Sequence, residues 1–254
     1  MTSSADLRTG RSGKSLTLAF VGVMFTVAVW AAYWLWIHRT PAIPGMIYFP
    51  AGAFLAGPDK KQVGLNAFYL DQAEVSNAEF AEFCRATTQC TTPEGPSDLP
   101  VVNVTIAQAR AYAKWRGKRL PTQMEWERAV RSADGVKYPW GDLEDAGLAN
   151  VRDNPILTEH KLMPVRSYRP LPAYQMAGNV WEMVEGKAAP EGSVIDEGAQ
   201  LLSPPPTASE PWIQIRGGSF NTVLSAAAGY NFRVIPERYF SPEIGFRCAR
   251  SRDN

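Results

Sequence analysis

LPVVNVTIAQARAYAKWRGKRLPTQMEWERAVR, residues 99–131, is the stretch that decides how this chain is read. Thr105 is followed three residues later by Gln108, and Thr122 by Glu125. Each pair is a capping box, in which the hydroxyl accepts from a backbone N–H one turn into a helix and the longer side chain reaches back to the cap's own N–H. The first helix runs to about Arg116 and stops at Gly117, which can take the left-handed conformation of a helix end. In the second, Pro121 precedes the cap, and Met124, Trp126, Ala129 and Val130 supply an inward face. Upstream, Ser76 and Glu79 make the same box, so three short helices are expected.

Around these helices the pattern is one of short strands and turns. MIYFPAGAFLAG, residues 46–57, has the apolar, aromatic and glycine mix of a strand pair near a turn. After Trp140 helical periodicity disappears and glycine, proline and aromatic residues take over, so the second half reads as loop-rich. Residues 184–211 show no periodicity and contain PPP at Pro204 to Pro206; they read as a solvated insertion loop.

The N-terminal part follows a different rule. Residues 16–37, LTLAFVGVMFTVAVWAAYWLWI, carry no charge, and as a helix of about 33 Å they would cross a hydrocarbon core of roughly 30 Å. Arg8, Arg11 and Lys14 precede the run and only Arg39 follows closely, which puts residues 1–15 in the cytoplasm as a short tail. Residues 38–45 are then a Pro-rich linker, and residues 46–251 form one domain on the extracytoplasmic, periplasmic side of the cell inner membrane. A cleaved signal peptide is the alternative, but its apolar region is usually shorter, about 7–15 residues.

The chain has 254 residues, 45% of them apolar and 20% charged, which suits one globular core plus an anchor. Lys and Arg number 26 against 25 Asp and Glu, and the folded part has no basic run. Nucleic acid is therefore not an expected partner. In an oxidising compartment Cys84 and Cys90 could close a small disulfide loop, leaving Cys248 as a buried small hydrophobe.

Seven segments in order resemble the formylglycine-generating-enzyme, or sulfatase-modifying-factor, family: MIYFPAGAFLAG, FYLDQAEVSNAEFAEFC (68–84), the stretch quoted first, YPWG (138–141), MAGNVWE (176–182), IRGGSF (215–220) and IGFRCAR (244–250). The resemblance implies an α+β, loop-rich variant of the C-type-lectin fold. It also implies where the chemistry should be, because the founding enzymes oxidise a cysteine to formylglycine with two copper-binding cysteines shortly after RGGSF. Here that stretch reads NTVLSAAAGYNFRV, residues 221–234. Thr222, Ser225 and Ala228 offer copper(I) no soft ligand, so no copper is expected.

Other catalytic sets are missing from the pattern too. His38 and His160 are the two histidines, one at the membrane face and one in a loop, so a two-histidine metal site within the domain is excluded. Glu125 and Glu127 are two apart on a helix and do not face each other. No catalytic residue is assigned.

The resemblance further implies structural calcium, through the backbone carbonyls of Gly178 and Val180 with the side chains of Gln175 and Glu182. A second set would begin at Asn150 and Val151, with its remaining ligands falling at residues 157–159. Oxygen-only ligation suits a hard cation. Arg216 and Arg247 read as guanidiniums that stitch loops to carboxylates. Tyr230, Asn231, Arg233 and Tyr239 lie where related domains present a ligand-binding surface. The expectation is a membrane-anchored, non-catalytic domain that binds a partner protein or envelope component. The alternative is an oxidoreductase-like enzyme that acts on a peptide or small molecule without the cysteine pair.

Overall fold

All three capping boxes close. Ser76 caps α1 (Asn77–Thr87), Thr105 caps α2 (Ile106–Trp115) and Thr122 caps α3 (Gln123–Arg131), each with both reciprocal hydrogen bonds in place. Arg116 caps the end of α2, and Gly117 follows at φ +66. These contacts come from a computed structural model that describes Trp30, residues 42–168 and residues 171–252. The apolar run at residues 16–37 lies, apart from Trp30, outside the described residues. Among those described, no helix is long and apolar enough to cross a membrane.

Strands β1 (Met46–Phe49), β2 (Gly52–Ala56), β3 (Lys61–Leu65) and β4 (Phe68–Asp71) come first in the chain. They differ in one respect from the expected strand pair. β1 and β2 do not pair with each other: β1 is antiparallel to β4, while β2 and β3 form a separate two-stranded ribbon. Phe49 and Phe68 stack across β1 and β4 with ring centroids 4.9 Å apart, and that buried aromatic pair sets the register. β9 (Ala249–Ser251) lies along the other side of β4.

The second sheet follows the order β7–β6–β5–β8, built from β5 (Trp181–Met183), β6 (Trp212–Arg216), β7 (Phe232–Pro236) and β8 (Ile244–Gly245). Its buried face supplies Trp181, Met183, Ile213, Ile215 and Ile244. These pack with Phe80 and Phe83 of α1 and with Ile106, Ala109, Tyr112 and Ala113 of α2 in the largest apolar core. Trp126, Ala129 and Val130 of α3 enter a second core with Phe49, Phe68 and Leu70. At one edge of the second sheet, β7 has no strand beyond it among the described residues.

Cys84 and Cys90 are joined in a disulfide with Cα atoms 5.0 Å apart, tying the last turn of α1 to the loop after it. Cys248 is free and fully buried in the main core. The insertion at residues 184–211 is more ordered than its composition suggests. It contains α4 (Gly192–Leu201), a helix with no buried residue and no side-chain N-cap, which is why no apolar stripe announces it. Gly198 faces Pro206 so closely that a Cβ would sit 2.7 Å from its Cγ. Arg238 then holds the far end of the insertion through Glu210 (2.8 Å) and the Pro204 carbonyl (2.7 Å).

Candidate functional site

The connection from β6 to β7, residues 217–231, occupies the place where the missing thiols would have been. Gly217 has φ +96 and lies against the Trp126 ring, where a Cβ would come within 3.0 Å. Ser219 then starts a hydroxyl-closed turn: Thr222 Oγ1 accepts from Ser219 N and donates to Ser219 O. Glu243 fixes the turn from outside, accepting from Ser219 Oγ at 2.5 Å and from Asn221 Nδ2 at 3.1 Å.

Beyond this turn the loop is an apolar plug. Leu224, Ala227 and Ala228 are buried with Tyr138, Ala149, Val151 and Ala177. Leu224 N donates to Asp153 Oδ1 at 2.8 Å, which anchors the short 3₁₀ turn Leu224–Ala227. Thr222 is buried with its hydroxyl consumed by its own turn, Ser225 is exposed, and Ala228 has no polar side chain. Cys248, the remaining thiol, sits in another core, where burial pushes its pKa well up and away from thiolate chemistry. Among the described residues, no group of three His, Cys, Asp or Glu side chains is placed to hold a metal ion.

The four residues expected to form a recognition face are only partly together. Tyr230 and Asn231 lead into β7, and Arg233 lies on it. Tyr239 follows the strand and packs half-buried against the main core. The Tyr230 ring carries the Arg131 guanidinium 5.1 Å from its centroid, and Asn231 Nδ2 donates to the Ser225 carbonyl at 2.7 Å. The Arg233 guanidinium lies 5.0 Å from the Trp181 ring centroid. Phe232, absent from the sequence-based set, is 48% exposed and lies over Arg216, its cross-strand partner, at 5.5 Å. The alternation Phe232, Val234, Pro236 on a strand was the signal that could have found it.

Beneath this strand the charges are unequal. Glu127 accepts from Arg131 Nη1 at 2.7 Å and from Arg216 Nη1 at 3.2 Å, and all three side chains are at most 2% exposed. Each Arg131 nitrogen has an acceptor, the carbonyls of Gly57, Gly135 and Val136 serving beside Glu127. Arg216 differs, because its Nε is buried without a partner. Burial lowers the Arg216 pKa against the pull of Glu127.

Part of the expected calcium set lies together, at Asn150, Val151 and Gly178. Asn150 and Gly178 are bridged as in a parallel ladder, and Asn179 N donates to Asn150 O at 2.8 Å. A Cβ at Gly178 would lie 2.2 Å from Asn150 O, so the position accepts no side chain. Asn179 is the hub. Its Oδ1 accepts from Asn150 Nδ2 and Met163 N, and its Nδ2 donates to both oxygens of Glu74. Val151 and Val180 are fully buried beside it. Two side-chain oxygens here, Gln175 Oε1 and Asn150 Oδ1, are buried without any hydrogen-bond partner. Glu182 is heavily used: Arg247 donates to both its oxygens at 2.7 Å, and Trp126 Nε1 donates at 2.8 Å. A carboxylate has about four lone-pair sites, so one is left. The orphan Gln175 oxygen, that last site and the carbonyls of Gly178 and Val180 are all oxygens, the donor type that calcium takes. The second set is poorer. Leu157 has no side-chain donor, and Glu159 is exposed and paired with Lys161.

A cavity of about 490 Å³ lies elsewhere, lined by Asp71, Glu74, Glu79, Asp98, Lys118 and Arg166 among others. Asp71 there is paired with Lys118 at 2.5 Å.

Comparison with known proteins places these features. The sequence profile of the sulfatase-modifying factor enzyme 1-like domain matches residues 37–252. A relative from Mus musculus, inactive C-alpha-formylglycine-generating enzyme 2, is 26% identical over 85% of this chain and 91% of its own. The formylglycine-generating enzyme of Thermomonospora curvata is 28% identical over 81% of this chain and 93% of its own. Among solved structures, PvdO from Pseudomonas aeruginosa superposes with a TM-score of 0.66 at 22% identity, covering 81% of this chain and 94% of that one, a likeness of fold.

Proposed function

Because the chain belongs to the sulfatase-modifying factor family, with its mixed α/β scaffold complete and the family's chemistry missing, we propose that it is a non-catalytic binding domain. In this reading residues 16–37 are a single transmembrane helix, and the C-type-lectin-like domain stands on the extracytoplasmic side and engages a partner protein or envelope component. The observation that carries the reading is the plug at residues 221–228. Where the founding enzymes have thiols, this chain has Thr222, Ser225, Ala227 and Ala228, and the apolar ones are packed inward. The mouse relative bears a name that calls it inactive, which supports a scaffold outliving its chemistry. The Cys84–Cys90 disulfide supports an oxidising compartment. Calcium, held by Gln175, Gly178, Val180 and Glu182, would supply structural bracing of the loop rather than a reaction.

The test is paired. Purified full-length protein is assayed for conversion of cysteine to formylglycine in a sulfatase-motif peptide after copper loading, and is used for affinity capture from membranes beside a control of residues 1–45. The expected result is no conversion, with a protein or envelope component retained by the full chain alone. Turnover, or nothing retained over the control, overturns the reading.

A further inference from the structure

β7 combines three observations that no catalytic role absorbs. It is an edge strand, and its five residues use one side for the ladder to β6 while the other faces no strand among the described residues. Such an edge presents a row of backbone donors and acceptors to another chain. Its outward residues are unusually available: Phe232 and Arg233 are both exposed, and Arg233 has a ring beneath it but, among the described residues, no carboxylate within ion-pair distance. Under the strand, Arg131 and Arg216 share the single carboxylate of Glu127, and Arg216 Nε finds no acceptor. A buried guanidinium with an unmet donor and an incomplete counter-charge projects positive potential outwards, because low-dielectric surroundings screen it little.

We propose that β7 is the docking edge for an extended acidic peptide segment of a partner protein, which adds to the sheet as a further strand and sets a carboxylate against Arg233. This rests on the binding reading above and names its partner's chemistry. Backbone pairing along Phe232–Ile235 supplies register, and Pro236, which has no N–H, ends it. The apolar side of the added strand meets Phe232. Three guanidinium–ring pairs, Arg131 on Tyr230, Arg216 on Phe232 and Arg233 on Trp181, hold the cations in place beforehand. Less ordering is then left to bind. A basic segment would meet like charge, which makes the edge selective as well as sticky.

The experiment selects binders to purified full-length protein in detergent from a random library of twelve-residue peptides. Recovered peptides are expected to be rich in Asp and Glu and free of central proline. Each should lose affinity at least ten-fold against Arg233→Glu, and again when alternate backbone amides of the peptide are N-methylated. Arg233 is exposed, so the variant should fold, and unchanged circular dichroism checks this. No enrichment, peptides without acidic excess, or affinities indifferent to Arg233→Glu or to N-methylation overturn the proposal. Membrane capture repeated with Arg233→Glu separates the two failures. Retention unchanged by that variant leaves the binding reading standing while this edge is wrong, and no retention by either protein removes both.

Discussion

Glu182 and Arg247 meet side-on in the interior, Nε to Oε2 and Nη2 to Oε1 both at 2.7 Å, with neither side chain more than 1% exposed. The pair joins β5 to the segment between β8 and β9, and so links the two sheets. Arg247 also donates to the carbonyls of Asp71 and Tyr174, so one guanidinium holds a strand end and a loop besides its carboxylate.

Breaking such a pair from one side strands a charge in the interior. Arg247→Met is therefore expected to cost about 3–5 kcal/mol in denaturant unfolding. Adding Glu182→Gln to it should recover part of that loss, because the amide oxygen still accepts from Trp126 and no charge is left behind. A double variant no more stable than Arg247→Met alone contradicts this account.

The Cys84–Cys90 bridge closes a loop of sequence separation 6. Chain-entropy arguments give such a loop about 2 kcal/mol. Reducing agent, or Cys84→Ser with Cys90→Ser, should lower the denaturation midpoint to match. Thiol titration of the unreduced protein should find one reactive group, Cys248, and that one only after unfolding. A thiol that reacts in the native state rules this arrangement out.

Two carboxyl groups give opposite pH dependences. Burial pushes Glu74 well above its ordinary 4.5, with Arg247 pulling the other way. Its raised value means that its contribution is full below about 4.5 and is lost as pH rises through the folded value. For Glu125 burial acts upwards too, but the Arg119 guanidinium, at 2.7 and 2.6 Å, and the Thr122 N–H hold it below 4.5. Its contribution is present above that value and fades as pH falls through the lowered one. Melting temperatures from pH 4 to 8 should fall with rising pH more steeply in the native chain than in Glu74→Gln, which keeps an acceptor for Asn179. Parallel profiles would show that Glu74 carries no such linkage.

Calcium bracing makes a further demand on Gln175. At a hundred-fold excess over its dissociation constant, calcium should stabilise the domain by about 2.7 kcal/mol, several degrees in melting temperature. Gln175→Leu should remove that response, since the orphan oxygen is the neutral side-chain ligand of the set. Identical melting in calcium and in chelator, with the native chain, sinks the idea.

The sequence carried the helices and the scaffold well because both rest on local chemistry. Ser76, Thr105 and Thr122 each sit three residues from their partner, a distance that the covalent chain fixes. The disulfide was legible for the same reason. The pairing of β1 with β4 rather than β2 was not, because strand partners depend on which faces are buried once the whole sheet exists. α4 escaped notice because a helix with no buried side chain has no stripe to read. At the candidate site, Tyr230, Asn231 and Arg233 were expected by position, and they lie at or just before β7. Phe232 and the Glu127 pairing with Arg216 were missed, the latter because it joins residues 89 apart in the chain.

The placement of β1 and β9 on either side of β4 has a mechanical meaning. Met46 pairs with Asp71 at one end of β4, and Ser251 pairs with Phe68 at the other. A pull between the two ends of the domain therefore runs along the strands and loads their hydrogen bonds together, in shear, instead of opening them one after another like a zip. Forced unfolding is governed by the rate of crossing its barrier. Pulled between Met46 and Ser251, this sheet is built to yield late and all at once.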